Sequence, residues 1–400
     1  MEFYISSMAS QISPSPTLAL DAKYKQMKKE GVPVVGFGAG EPDFETPINI
    51  KEAAIAAINA GYTRYTPASG TIELKQAIVN KVKRDTGLSY TVDNVVVSNG
   101  GKHSLTNIFM CILENGDEVI IPSPFWVSYP EMVKMAGGKP VFLKTTEDTN
   151  FKFTSKMFEE HITDKTRAIV INTPSNPTGM IYSKEELKEI AEIAVKYNIY
   201  VIFDEIYEKL VYDGEVHTNI ATLGDDIKEL TIIVNGMAKA YAMTGWRIGF
   251  TLSCEKLAKA MSNIQSHATS NPNSIAQAAS VEALSGDQSS VDIMRKEYIK
   301  RRNYMVERIN SIEGLSCLKP SGAFYVFVNV KKLLNKEHYG KLIVTASELC
   351  DDILERALVA LVPSEGFGID GYVRLSYATS IENITTGLDR IEKYIKGEYK

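Results

Sequence analysis

Five short apolar runs constrain this chain more than anything else in it: Asn94 to Ser98 (NVVVS), Glu118 to Pro122 (EVIIP), Ala168 to Asn172 (AIVIN), Tyr200 to Asp204 (YVIFD) and Thr231 to Asn235 (TIIVN). Each is rich in β-branched residues and lacks polar alternation, the pattern of a strand covered on both faces. Helical patterns lie between several of them. One is Ser183 to Tyr197, which opens on a Ser-x-x-Glu capping box. Strands alternating with helices predict an α/β core with a mostly parallel sheet over residues 50–290. From about residue 291 the texture changes. A long charged helix (Asp292 to Ile312) precedes a strand in GAFYVFVNV, a helix (Thr345 to Ala357), a strand YVRLS and a closing helix from Ile381. That order predicts a smaller α+β unit over 291–400, with residues 1–49 as an irregular arm packing on it.

The 400 residues are enough to bury about three quarters of the unfolded surface without covalent staples. The formal charge is −5, which gives no electrostatic footing for nucleic acid or anionic lipid. Cys111, Cys254, Cys317 and Cys350 lie far apart with no CxxC spacing, and no HxxxH pair occurs, so neither a disulfide framework nor a metal site is expected. No apolar run reaches the length of a membrane span, and the opening MEFYISSMAS lacks a basic, then apolar, leader. Met1 or Met8 can serve as the start. A cytoplasmic, reducing location is the expectation.

Ligands of an open parallel sheet gather beyond the carboxyl ends of its strands. After NVVVS comes Asn99-Gly100-Gly101-Lys102, which opens a helix; after EVIIP come Ser123-Pro124-Phe125-Trp126. AIVIN leads into Thr173-Pro-Ser-Asn176-Pro-Thr-Gly179, YVIF ends in Asp204-Glu-Ile-Tyr207, and TIIVN continues as Gly236-Met-Ala238-Lys239. The strand ends thus offer an anion-binding helix start, a flat aromatic, an amide, a carboxylate with a phenol, and an amine. Together these suit a planar, phosphorylated, electron-withdrawing heterocycle.

Asn-Pro-Thr-Gly, then Asp-x-x-Tyr with its Asp 28 residues after the Asn, then Lys239-Ala-Tyr-Ala-Met-Thr-Gly-Trp-Arg247-Ile-Gly resembles the fold-type I pyridoxal-phosphate aminotransferases of class I. Gly38-Ala-Gly40-Glu-Pro-Asp-Phe near the front and Arg374-Leu-Ser-Tyr near the end extend the match over residues 14–395. Among subgroups the chain looks most like the bacterial aspartate and aspartate/prephenate aminotransferases. The resemblance implies a three-layer, doubly wound sheet with a smaller α+β domain, pyridoxal 5′-phosphate as cofactor, and a homodimer with shared active sites. Its substrates would be an amino acid and a 2-oxo acid.

It also implies roles. Lys239 holds the cofactor through its amine and shuttles the substrate's α-proton. Asp204 pairs with the pyridine nitrogen, Tyr207 and Asn176 bond the ring's phenolic oxygen, and Trp126 stacks on the ring. Gly100, Gly101 and Arg247 seat the phosphate, with Tyr65 reaching it from a partner chain. Arg374 clamps the substrate α-carboxylate beside Gly40. Lys102, also beside the cofactor, and Thr17 are the candidates for a distal carboxylate. Ala238 stands where many such enzymes carry serine and Gly236 where some do, which removes possible hydroxyl contacts to the phosphate; backbone groups and Arg247 are expected to compensate.

Two competing motifs fail. Gly101-Lys102 is followed by His103, so no nucleotide-binding Gly-Lys-Ser/Thr exists, and Gly36-x-Gly38-x-Gly40 runs into Glu-Pro-Asp rather than a helix. The expected activity is transfer of the α-amino group of L-aspartate to 2-oxoglutarate. An aromatic- or alanine-type aminotransferase, or a carbon–sulfur β-lyase on the same scaffold, are the alternatives. A cofactor-sensing DNA-binding regulator is disfavoured by the missing basic face.

Overall fold

The computed structural model describes residues 3–14 and 16–399, with the side chains at 16–19 and 21 outside the description. Seven strands form the central sheet: β1 (Val95–Ser98), β2 (Glu118–Ser123), β3 (Lys139–Lys144), β4 (Thr166–Asn172), β5 (Tyr200–Asp204), β6 (Thr231–Gly236) and β7 (Gly249–Leu252). Their order is β1-β7-β6-β5-β4-β2-β3. Only β7 runs antiparallel to its neighbours; the other pairings are parallel.

The unalternating apolar runs are explained by what covers them. Val119, Ile121, Val170 and Ile202 point into one hydrophobic cluster, while Ile120, Ile169, Ile171, Val201 and Phe203 point into another on the opposite face. Both faces are dry, so neither parity can be polar. Helix Lys184–Tyr197 covers one face through Leu187, Ile190, Ala191 and Ala194, a stripe at helical spacing. The Ser183 hydroxyl accepts from the Glu186 N–H, and the Glu186 carboxylate accepts from the Ser183 N–H, closing the expected capping box.

Two strands of this sheet were absent from the sequence reading. β3 lies on the sheet edge, and its exposed Lys139, Phe142 and Lys144 break any apolar run. The four residues of β7 follow directly on the Lys239–Arg247 segment, too short to register as a separate apolar run.

Beyond helix Ser289–Ser311, four strands form a second, antiparallel sheet: β8 (Ser316–Cys317), β9 (Tyr325–Asn329), β10 (Val362–Pro363) and β11 (Tyr372–Ser376), in the order β10-β11-β9-β8. The N-terminal chain is tied to this region. Val35 and Gly36 pair in parallel with Val359 and Ala360, and the Ser376 N–H donates to the Phe37 carbonyl at 2.8 Å. These bonds deliver Gly38-Ala39-Gly40 to the carboxyl edge of the central sheet. No described helix is long and apolar enough to cross a membrane.

Candidate active site

A cavity of about 460 Å³ lies at that edge, and Gly40, Gly101, Lys102, Trp126, Asn176, Asp204, Tyr207, Lys239, Arg247 and Arg374 all line it. Asp204 is the last residue of β5, and Lys239 follows β6 by three residues. Because β5 and β6 are parallel neighbours, with Asp204 opposite Val234, their tips open on the same space.

Asp204 is buried. One carboxylate oxygen accepts from the Tyr129 hydroxyl at 2.6 Å, and the other from the Ile206 N–H at 3.2 Å. Burial nonetheless pushes its carboxyl up to about 6, against the pull of those two donors. Lys239 is displaced the opposite way. Desolvation, then the positive charge of Arg374, bring its amine down to about 8, Arg247 adding to the shift and Glu41 opposing it. Its Nζ donates to the Gly40 carbonyl. A buried acid that holds its proton too well and an amine that holds it too weakly face one cavity. Each would be relieved by a partner of the other sign or by an electrophile.

At one end of the cavity Gly100 takes φ +85° and begins helix Gly101–Ile112, whose N-terminus no side chain caps. A side chain at Gly100 would be strained at that φ, and its Cβ would stand 2.8 Å from the Arg247 guanidinium carbon, displacing it. Arg247 itself sits in the left-handed region at φ 59° and donates to the Thr244 carbonyl at 3.0 Å. Uncapped N–H groups beside a fixed guanidinium make a seat for a dianion.

Arg374, on β11, marks the other end. It is buried, donates to the Asn176 side-chain oxygen at 2.9 Å and the Gly38 carbonyl at 3.0 Å, and lies 4.4 Å over the Tyr325 ring. Its Nε is buried with no partner. Such an orphan is costly unless a ligand completes it. Asn176 gives its oxygen to Arg374, which turns its amide NH₂ elsewhere. The Tyr207 hydroxyl meets that of Tyr325 at 3.1 Å.

Lys102 is exposed, but its Nζ stands 5.2 Å over the Trp126 ring, and desolvation of the amine followed by Arg247 lowers it. Gly100 lies against Arg247 rather than on the cavity wall. Tyr65 is 90% exposed and lines no part of the cavity, so within one chain it is not brought to the others. The side chain of Thr17 lies outside the described residues.

Several lining residues were missed in the sequence. Tyr129 bonds Asp204 and packs edge-on to Trp126 at 5.3 Å. Its position three residues after Trp126, near a helix start, was the available signal. Tyr325 lies inside the apolar run of β9, where nothing distinguishes it from a core residue. Gly38, Glu41 and Thr244 stood inside matched motifs without a role being assigned to them, and Asn172 carried no signal of its own.

Residues 32–391 match the family model described as aminotransferase class I and II. The aspartate aminotransferase of Bacillus sp. (strain YM-2) is 45% identical over 396 residues, 99% of this chain and 100% of that protein. The aspartate/prephenate aminotransferase of Nitrosomonas europaea is 45% identical over 97% of this chain and 98% of its own. Among solved structures, the aspartate aminotransferase from Rhizobium meliloti superposes with a TM-score of 0.96 at 42% identity, covering all of both chains. The Thermus thermophilus aspartate aminotransferase with maleate gives 0.93 at 40% identity, over 98% of this chain and 100% of that one.

Proposed function

The chain belongs to the class I and II aminotransferases, and from that premise we propose that it moves the α-amino group of L-aspartate to 2-oxoglutarate, with the residues above in the roles their chemistry suits. Enzymes of this family work with pyridoxal 5′-phosphate, and the cavity fits that group. Its dianionic end has a matching seat at Gly100, Gly101 and Arg247, where a Cβ would collide with the guanidinium. Its pyridine nitrogen has a matching acid in Asp204. When bound, the cofactor supplies an electron sink for charge developing at the substrate's α-carbon.

The protein's own groups do the rest. Lys239, lowered to about 8, has a free-base fraction of roughly a tenth near neutral pH, far above that of an ordinary lysine; it would hold the cofactor through its amine and would take and return the proton at the α-carbon. Asp204 provides the negative charge that keeps the ring nitrogen protonated. That pairing offsets the burial that otherwise raises its own proton affinity. Asn176 would offer its NH₂, and Tyr207 its hydroxyl, to the ring oxygen. Trp126 would pack against the ring. Arg374 presents its unpaired Nε to the α-carboxylate, a planar fork that lysine cannot copy.

The observation that carries the reading is the pairing of a weakened amine with a buried acid across one cavity. Aspartate as donor is supported by Lys102 on the cavity wall, a second cation for a distal carboxylate. The Thermus relative was solved with maleate, itself a dicarboxylate.

A homodimer belongs to the same proposal. Tyr65 is surrounded in sequence by other exposed apolar side chains: Ile48, Ile55, Ile58, Tyr62 and Ile72 are each more than half exposed. A second copy covering that area would remove the patch from water. We also propose the division into arm (1–49), large domain (50–290) and small domain (291–400), and a role in amino-acid biosynthesis in the cytoplasm, where the four free thiols stay reduced.

The test is a panel of amino donors against 2-oxoglutarate and oxaloacetate. Aspartate with 2-oxoglutarate should give the largest kcat/KM of the first set. Faster turnover of phenylalanine or alanine, or release of pyruvate and ammonia from a thioether amino acid, would overturn the substrate assignment.

A further inference from the structure

The residue after Asp204 is a second carboxylate, Glu205, that the chemistry above does not use. It is 2% exposed. One of its oxygens accepts from the His217 Nε2 at 2.8 Å and from the Asn219 NH₂ at 2.8 Å, both on the loop after β5. The other accepts from the Asn235 NH₂ at 3.3 Å. Asn235 lies on β6, four residues before Lys239, and its own side-chain oxygen accepts from the Gly236 N–H at 2.7 Å. Both ends of the Asn235 amide are therefore committed, and its orientation is fixed. The other ionisable groups that act on Glu205 are Asp204, Lys81 and Tyr90, Lys81 itself being paired with Glu208 at 2.5 Å.

A buried carboxylate is costly unless every lone pair is used. Here the donors come from two places: the loop beyond β5, and the tip of β6, where Asn235 pairs through its backbone with Phe250 of β7 rather than with β5. The last registered pair between β5 and β6 is Asp204 and Val234, and one backbone bond continues beyond it, from the Glu205 N–H to the Val234 carbonyl at 3.0 Å. Past them, a polar link from Glu205 to Asn235 spans the two strands on the way to Lys239.

We propose that Glu205 is a positioning residue that ties the strand tip carrying Asp204 to the strand tip carrying Lys239 and so sets how acid and amine face a common ring. The proposal rests on the functional reading above. Glu205 touches neither substrate nor cofactor; it acts through its two neighbours.

The polarity of the link gives a specific test. In Glu205→Gln the amide oxygen can keep the His217 and Asn219 donors, but its NH₂ then faces the NH₂ of Asn235. Asn235 cannot turn over without surrendering the Gly236 N–H. Adding Asn235→Asp restores a donor–acceptor pair of reversed polarity and leaves an oxygen for Gly236. With the cofactor-loaded enzyme, Glu205→Gln should release cofactor about tenfold faster, read as loss of visible absorbance after gel filtration. It should also shift the pH midpoint of that absorbance and lower kcat more than it changes the aspartate KM. The double variant Glu205→Gln/Asn235→Asp should return all three to within about threefold of the parent. Asn235→Ala, which leaves the His217 and Asn219 bonds alone, should behave like Glu205→Gln and serves if that variant fails to fold. Unchanged retention and midpoint in the single variants, or a double variant no better than Glu205→Gln alone, would overturn the proposal. A parent protein that binds no cofactor would overturn the functional reading instead.

Discussion

The floor of the cavity and its outer wall are built differently. On the floor, Asp204, Tyr207 and Arg374 are buried, and each is held by a named partner: Tyr129, Tyr325 and Asn176. On the wall, Lys102 is exposed, with its amine over the Trp126 ring; Tyr65, 90% exposed, lies outside the cavity altogether. In the proposed reading the floor would hold what any amino acid needs, partners for the cofactor's ring and a clamp for the α-carboxylate. The wall cation would distinguish one amino acid from another. Chemistry would then be set by groups whose partners fix them in advance, and selection by a cation that keeps contact with water.

The sharpest way to break this comparison is Lys239→Ala. With the amine gone, aspartate turnover should fall by roughly 10⁴-fold or more in a coupled assay, and a residual rate within tenfold of the parent would remove Lys239 from the mechanism.

Asp204→Asn comes next, with an expected loss of about 10²–10³-fold in kcat. Its effect on stability has the opposite sign. The acid is raised from 3.8 to about 6 in the folded chain, so folding favours its protonated form. The cofactor-free protein should therefore lose stability as pH rises from about 4 to about 6 and stay level above that on account of this group. At pH 8 the asparagine variant without cofactor should melt higher than the parent, by about 1–3 kcal/mol of stability, while gaining less than the parent from added cofactor.

Arg374→Lys tests the clamp. It keeps the charge but loses the fork, and should cost roughly 10²-fold in kcat/KM for every amino donor alike. A loss confined to aspartate would move Arg374 from the floor to the wall. Lys239 also predicts a pH dependence. Capture of cofactor by the cofactor-free protein should speed up as pH rises and level off above about 8, because the free amine is the reactive form and its proton is lost there rather than near 10.5. Stopped-flow absorbance reads this directly, and a rate still climbing at pH 10 would contradict it. The smallest effect is on the wall. Lys102→Ala should lower kcat/KM for aspartate about tenfold and for phenylalanine less than twofold.

The same division decides what the sequence made visible. Tyr200–Asp204 was legible to the residue, because a strand buried on both faces must be apolar at both parities and its catalytic tip is the first charge after it. Lys239, Asn176 and Arg247 were legible because they follow such strands or sit in a motif around them. Tyr129 and Glu205 were not read, since each acts through Asp204 or its neighbours, and a side chain that bonds another side chain leaves no period in the sequence. β3 was hidden by its edge position. Tyr65 was read as acting across an interface, and its exposure leaves that role to the proposed second copy.

The central claim is that the Lys239 amine and the Asp204 carboxylate engage one pyridoxal phosphate. Its most direct test is borohydride reduction of the cofactor-loaded protein, followed by digestion and mass spectrometry, in the parent and in Asp204→Asn. The account predicts a single phosphopyridoxyl group, on the peptide containing Lys239, at full occupancy in the parent and reduced in the variant. A label on another lysine, or none, would contradict it.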